Sequence, residues 1–240
     1  MLKVIIFSDN SFHDIEDELK LNYQVVEENP DCAVVLFRDE KKLLDHLHAC
    51  RNYQKVFIKP IACVRTIDFI DRNFNNVYYL HLRIKDMNLY GLKFDVYDRI
   101  ISHIDIKLRG KRINLSDEFL HELLFLNMIL GDDDFENSNL RVSRNKNTIH
   151  ANLYNKSINL TCSIYISNIS EYLDHNVQVY DIHGKCFELS TPSETCYFER
   201  FGASLCYILK NANPKWLKDQ MIYNLNVASK IKSVRGLVIN

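Results

Sequence analysis

The chain has 240 residues, of which 47% are hydrophobic and 25% charged, enough to bury one large core or two modest ones. Its formal net charge of -1 gives no general attraction to nucleic acid or to an anionic membrane, and no run of lysine and arginine indicates a basic patch. The sequence lacks a signal-peptide pattern and a segment long and apolar enough to cross a bilayer. We therefore expect a cytoplasmic globular protein of two domains, with neither nucleic acid nor membrane as partner.

The cysteines and histidines do not form a metal-ligand pattern. Seven cysteines are scattered without a C-x-x-C pair, and their odd number is typical of reduced thiols rather than a disulfide framework. Among nine histidines, His46 and His48 are two residues apart, so their rings point to different faces of a helix. We expect no metal.

The first eighty residues alternate between short apolar runs and helical patterns. Apolar runs at 3–7, 32–37, 55–58 and 77–84 read as buried strands, and the segments 12–20, 39–52 and 66–74 have helical spacing. Strands that alternate with helices indicate a parallel α/β layer. Residues 1–82 are therefore predicted to form a truncated Rossmann-like domain.

The remaining residues, 83–240, change character. Segments between 99 and 188 read as β-strands joined by turns such as "RNKN" and "HGK", which indicates an open antiparallel sheet of an α+β domain with helices on one face. Helices are predicted at 116–131, with Ser116 as N-cap and Gly131 as stop, at 196–211, and at 215–234 after a break at Pro214. The strands "TIHANLYN" and "INLTCSIYIS" suggest more outward apolar positions than solvent tolerates, so we expect a homo-oligomer through this sheet.

Lys59 ends the apolar run "KVFI" and is followed at once by Pro60, which stops a strand. Lys59 is thus predicted to lie at the carboxyl end of a parallel strand, the edge where open α/β sheets bind ligands. The alternative is a strand-end lysine whose ammonium group simply reaches solvent.

Four stretches together resemble the Gfo/Idh/MocA family of NAD(P)-dependent sugar and polyol oxidoreductases. "DCAVVLFRD" stands where that family has D-A-V-V-x-x-x-P, and "VFIKPIA" resembles its V-x-x-E-K-P-x-A, with Ile58 in place of the glutamate. "DEFLHELLFLNMILG" carries its D-x-x-x-H and final leucine-glycine, and "NLNVASKIKSVRGLVI" resembles its closing helix and strand. The resemblance spans nearly the whole chain.

This resemblance implies a catalytic site of Lys59, Asp117 and His121 around a sugar-like ligand. Lys59 would orient the substrate hydroxyl, His121 would take or return its proton, and Asp117 would tune or relay it. Asp117 and His121 share one helix face at i,i+4 spacing, and a histidine titrates near neutrality, which suits such a proton transfer. The alternative for this pair is a solvated hydrogen bond on a surface helix.

The implied cofactor is NAD or NADP, bordered by Ser8, Asp9, Asn10 and Pro60. The sequence departs from the family here, because the turn "FSDNSFHD" contains no glycine where a pyrophosphate needs close approach to the backbone. Acidic residues at this turn would also repel a phosphate. We therefore expect NAD(H) and NADP(H) to bind weakly or not at all.

The strand that should carry the ribose-binding acid also departs from the pattern. "NYQVVEEN" offers Glu27 and Glu28, but only residues 29–31 separate it from the next strand, too few for a crossover between parallel neighbours. The sequence therefore predicts a deleted strand-helix element, with "YQVV" as a loop or an antiparallel edge.

Three functions remain open at this stage. The first is an oxidoreductase, or a related lyase or epimerase, acting on a sugar or nucleotide-sugar with a degenerate dinucleotide site. The second is a non-catalytic relative that binds a sugar-like ligand or serves as a subunit of a complex. The third is an assembly protein that dimerises through its open sheet.

Overall fold

The computed structural model of the chain describes residues 3–8, 24–25, 33–37, 40–58, 61, 63–79, 98, 100–110, 113–171, 174–188, 208 and 213–234. Within them, a first sheet contains five parallel strands in the order β2-β1-β3-β4-β5. The strands are β1 (Lys3–Ser8), β2 (Gln24–Val25), β3 (Ala33–Phe37), β4 (Lys55–Ile58) and β5 (Val77–Tyr79).

Two helices cover one face of this sheet. Helix α1 (Glu40–Ala49) connects β3 to β4, and helix α2 (Val64–Asn73) connects β4 to β5. The predicted alternation of strand and helix is confirmed, because the apolar residues of both helices bury against the same strand face. This first core contains Val34, Leu43, Leu47, Val56, Ile58, Ile67, Ile70, Val77 and Tyr79.

The position of β2 corrects the prediction for "YQVV". Gln24 and Val25 pair in parallel with Lys3 and Val4 of β1, so this segment is neither a loop nor an antiparallel edge. The short link to β3 is sufficient because β2 and β3 are not neighbours: they flank β1 on opposite sides. Both ends of the link lie at the same level, since Val4 also pairs with Ala33.

A second, six-stranded sheet follows in the order β11-β10-β6-β9-β8-β7. Its pairs are antiparallel except for β6 and β9, which run parallel. The predicted second sheet domain is confirmed, but its sheet is mixed, because the connection from β6 to β9 contains helices and a hairpin and can return the chain in the same direction. The strands are β6 (Ile101–Arg109), β7 (Asn139–Arg144), β8 (Thr148–Asn155), β9 (Leu160–Ser167), β10 (Asp174–Asp181) and β11 (Cys186–Glu188).

The outward face of this sheet is polar, contrary to the expected surplus of apolar residues. The aliphatic residues of β8 and β9 point inward, whereas His150, Asn152 and Thr161 are exposed on the other face. Tyr154, 43% exposed, is the one large hydrophobic residue among the exposed positions of these two strands. The premise for oligomerisation was therefore wrong, and the homo-oligomer stays a prediction.

Helix α3 (Leu115–Leu130) packs on the inner face of the second sheet, and the short helix α4 (Asp132–Glu136) follows it. The N-cap is Asn114 rather than Ser116: the Asn114 side chain accepts hydrogen bonds from the backbone N–H groups of Ser116 and Asp117. The cap thus lies two residues before the predicted one, and Leu115, which becomes the first helical residue, is buried. Gly131 ends it as predicted, with a φ of 78° that favours glycine.

Helix α5 (Pro214–Ser233) packs against β5 of the first sheet and against the helices α2, α3 and α4. Asn213 caps it, and Pro214 is its first residue rather than a break before it. The predicted helix at 12–20 lies outside the described residues, and of the one at 196–211 only Ile208 is described, as helical and buried. The boundary between residues 82 and 83 stays a prediction.

Candidate functional site

Helix α3 brings Asp117 and His121 to one face. The Asn114 cap places Asp117 in the first turn, partly exposed, and His121 one turn later, only 5% exposed. The alternative of a solvated pair on a surface helix is therefore wrong for His121, because α3 is buried on nearly all sides. Asp117 thus lies at the partly exposed start of the helix, and His121 lies in its buried interior.

Glu122 is a buried carboxylate that the sequence reasoning missed. Its side chain is fully buried, and its Oε1 lies 3.5 Å from Nε2 of His175 on β10. A buried acid needs such a partner, so this contact fixes the rotation of α3 about its own axis. Because consecutive helical residues are about 100° apart, fixing Glu122 also fixes the direction of His121. The signal was a charged residue inside an apolar helical run.

Lys59 and Pro60 lie outside the described residues, but the residues on either side of them are placed. Ile58 ends β4 at the carboxyl edge of the first sheet, and Ile61, three residues later, is buried. Both backbone groups of Ile61 bind one side chain on α5: its N–H donates to Oδ1 of Asn224 at 3.0 Å, and its C=O accepts from Nδ2 of Asn224 at 2.9 Å. Asn224 is fully buried.

The same helix α5 also contacts the core that contains α3. Val227 and Ile231 belong to the second core, with the α3 side chains, whereas Ala228 belongs to the first core. Near its end, Lys230 donates to the backbone carbonyl oxygens of Glu136 and Ser138, at the end of α4. Helix α5 therefore fixes the end of β4 relative to α3. The sequence signal for Asn224 was a polar residue on the apolar stripe of this helix.

Tyr79 is a second buried polar residue at the carboxyl edge. It ends β5 and is level with Ile58 of β4. Burial, together with the negative charges of Asp71 and Asp68, raises the pKa of Tyr79 above its usual range. The phenol stays protonated in the neutral range and cannot serve as a base.

The predicted cofactor positions are only partly described. Ser8 ends β1 and is level with Phe37, which ends β3, while Asp9, Asn10 and Pro60 lie outside the described residues. Strand β2 ends at Val25, level with Val4.

The described residues contain neither a metal-ligand cluster nor a membrane-spanning helix. No three or more histidine, cysteine or acidic side chains among them are arranged to hold a metal ion. None of the described helices has the length and apolarity needed to span a membrane.

Comparison with known proteins finds likeness in structure only. No protein-family profile matches the sequence, and no curated protein resembles it in sequence. A probable dehydrogenase from Thermotoga maritima has a TM-score of 0.69 at 14% identity, over 95% of each chain. The myo-inositol dehydrogenase from Corynebacterium glutamicum has a TM-score of 0.66 at 10% identity, over 98% of this chain and 97% of its own.

A third similar structure was solved with ligands. It is the myo-inositol dehydrogenase from Lactobacillus casei in complex with NAD(H) and myo-inositol, with a TM-score of 0.63 at 11% identity, over 95% of this chain and 91% of its own. At such identities the likeness establishes the fold and does not transfer the ligands. The chain has the fold of the Gfo/Idh/MocA-type oxidoreductases.

Proposed function

We propose that the chain is an enzyme of the oxidoreductase type, or a related sugar-modifying enzyme, that acts on a hydroxyl or keto group of a sugar or nucleotide-sugar. Lys59, Asp117 and His121 would line its cleft. The observation that carries the proposal is the paired hydrogen bond between Asn224 and Ile61. It connects Ile61, two residues after Lys59 in the chain, to the helix that also packs on α3, which carries the other two residues.

The three side chains have distinct roles in this proposal. The Lys59 ammonium group holds the oxygen of the substrate hydroxyl. The His121 imidazole takes the proton of the substrate hydroxyl or returns it, and Asp117, one turn earlier on the same face, adjusts the basicity of that imidazole. The partial exposure of Asp117 provides a path by which the proton reaches solvent.

The dinucleotide that the fold implies does not fit the stretch "FSDNSFHD" in the usual way, because this stretch contains no glycine where the backbone must approach a pyrophosphate. We therefore propose a degenerate dinucleotide site and assign no step of the reaction to NAD or NADP.

The lack of glycine in "FSDNSFHD" also favours the second candidate function, a non-catalytic relative that binds a sugar-like ligand or serves as a subunit of a complex. Such a protein would keep the cleft and lose turnover. The two candidates share the ligand and differ in whether His121 moves a proton.

The test is a titration with polyols, hexoses and nucleotide-sugars, each with NAD⁺ or NADP⁺ added as electron acceptor, followed by NMR for both binding and product formation. We expect His121→Gln, which conserves size and burial, to reduce turnover by about 10²- to 10⁴-fold, the range of general acid-base catalysis. The matched control is His150→Gln, on the exposed face of β8, with unchanged turnover. Binding without turnover in the wild-type chain supports the second candidate, and absence of any binding contradicts both.

A further inference from the structure

We propose that Glu122 and His175 are positioning residues for His121: their buried contact selects one rotation of helix α3 about its axis, and it contributes this selection rather than stability. The effect on catalysis rests on the proposed function, because it takes His121 as the group that moves a proton. The effect on the rotation of α3 is independent of that function.

Helix α3 is buried around its whole circumference. Twelve of its sixteen residues are buried, among them the nine consecutive residues 119–127. Nine residues make about two and a half turns, so every direction around this part of the axis faces the interior. A surface helix is oriented by turning its apolar stripe toward the core and its polar face toward water. Residues 119–127 have no exposed face that could orient α3 in this way.

Apolar packing also distinguishes poorly between rotations of α3. Leucines occupy several sides of the helix, and Leu123 and Leu124 are consecutive. Because consecutive helical residues are about 100° apart, a rotation by that angle places one leucine where another was. Cores tolerate such exchanges at equal volume, and they lose a unique packing before they lose stability. The leucines therefore bury α3 without fixing its rotation.

The contact between Glu122 and His175 does distinguish the rotations. Oε1 of Glu122 lies 3.5 Å from Nε2 of His175, and the two side chains are 0% and 10% exposed. His175 is level with Leu108 of β6 on the inner face, whereas Lys107 and Arg109 alternate onto the outer face. Protonated His175 is thus the cation that β6 and β10 present to Glu122.

A rotation that moves Glu122 away from His175 leaves a carboxylate buried without that cation, which is strongly unfavourable. A single buried polar residue fixes the register of a coiled coil in the same way. His121 adjoins Glu122 in the helix, so the selected rotation also sets the direction of the His121 imidazole. The pair acts on catalysis through His121.

The test replaces both partners by leucine, in the double variant Glu122→Leu with His175→Leu. Apolar side chains in place of a buried ion pair are often neutral or stabilising, so we expect the urea unfolding midpoint to be at or above that of the wild-type chain. In NMR spectra we expect more than one peak for each leucine methyl group of α3 and displaced peaks of the His121 ring, because several rotations are populated.

One set of methyl peaks with an unchanged His121 ring would overturn the proposal. A double variant that is unfolded, or less stable than the wild-type chain, would overturn it too, because the pair would then be required for stability.

Two further variants test whether the contact itself is responsible. Glu122→Gln keeps an oxygen that accepts from the His175 imidazole, so we expect one set of methyl peaks and wild-type peaks of the His121 ring. Lys107→Met is the matched control, because it removes an ion pair with Asp105 on the outer face of the sheet. Several sets of peaks in Glu122→Gln, or a displaced His121 ring in Lys107→Met, would contradict the role of the contact.

Turnover tests the consequence for catalysis. With a substrate found in the sugar titration, we expect the double Leu variant to lower kcat by about tenfold or more and to change KM by less than about threefold, because a misdirected base slows proton transfer and leaves binding intact. An unchanged kcat would overturn the positioning of His121. Failure to find any substrate ends the proposed function, and the NMR spectra still decide whether the contact selects the rotation of α3.

Discussion

The Asn224 side chain connects helix α5 to Ile61, which follows β4 in the chain. An asparagine amide carries both a donor and an acceptor, so one side chain can satisfy the N–H and the C=O of Ile61 together. Ile61 is buried, and without Asn224 both groups would lose a partner in a place that water does not reach. Asn224 can be buried because the oxygen and the nitrogen of its side-chain amide both have a hydrogen-bond partner.

We expect Asn224→Ala to lower the free energy of unfolding by about 2–4 kcal/mol, because each unpaired buried polar group costs about 1–3 kcal/mol. Urea unfolding followed by circular dichroism measures it. The matched control is Asn226→Ala on the same helix, whose side chain is partly exposed and which should change stability by no more than about 0.5 kcal/mol. Equal losses for the two variants would contradict the role given to Asn224.

At the scale of single elements, α3 shows how a cap sets the position of the candidate site. Asn114 and Ser116 are both good N-cap residues, and the sequence alone favoured Ser116 because the apolar spacing starts after it. The structure uses Asn114, which makes Leu115 the first helical residue and buries it. Asp117 consequently lies in the first turn, where its negative charge is favourable at the helix N-terminus.

Replacement of the two candidate caps distinguishes them. Asn114→Ala should destabilise the chain by about 0.5–2 kcal/mol, because the N–H groups of Ser116 and Asp117 lose their acceptor. Ser116→Ala, as the matched control, should cost only a few tenths of a kcal/mol, since Asn114 continues to cap the helix. Thermal unfolding measures both, and a larger effect at Ser116 would show that the cap is misassigned.

At the scale of the whole molecule, α5 makes the two sheets one cooperative unit. Ala228 belongs to the first core, and Val227 and Ile231 belong to the second, so neither core is complete without this helix. The sequence contains one tryptophan, Trp216, in the first turn of α5. Its fluorescence therefore reports the helix that joins both sheets.

We expect urea unfolding curves from Trp216 fluorescence and from far-ultraviolet circular dichroism to coincide, as two-state unfolding requires. Ile231→Ala should shift both midpoints together, because deletion of a buried isoleucine side chain costs about 2–5 kcal/mol and α5 transmits the loss to the first sheet. Two separate steps in the dichroism curve, with Trp216 following only one of them, would show that the sheets unfold independently.

The sequence predicted the positions of the helices and strands better than it predicted which strands pair and in which direction. Apolar runs such as "AVVLF" and "KVFI" identified strands because burial on both faces leaves a clear pattern. The pairing of β2 left no such pattern, since two residues carry no periodicity and their direction depends on β1. The burial of His121 was also hidden, because it depends on how the second sheet and α5 surround α3. The roles of Lys59, Asp117 and His121 stay a prediction.

The bonds between Asn224 and Ile61 also set an order of events during synthesis. They join residues 163 positions apart, so they cannot form until nearly the whole chain has been made. Until then the first core lacks Ala228, and Ile61 lacks its hydrogen-bond partner on α5. Closing so long a loop costs entropy before the contacts repay it, and an incomplete parallel sheet with uncovered apolar residues is the kind of species that aggregates. In the nascent chain, the first sheet is synthesised early but stays incomplete, and therefore prone to aggregation, until α5 has been made.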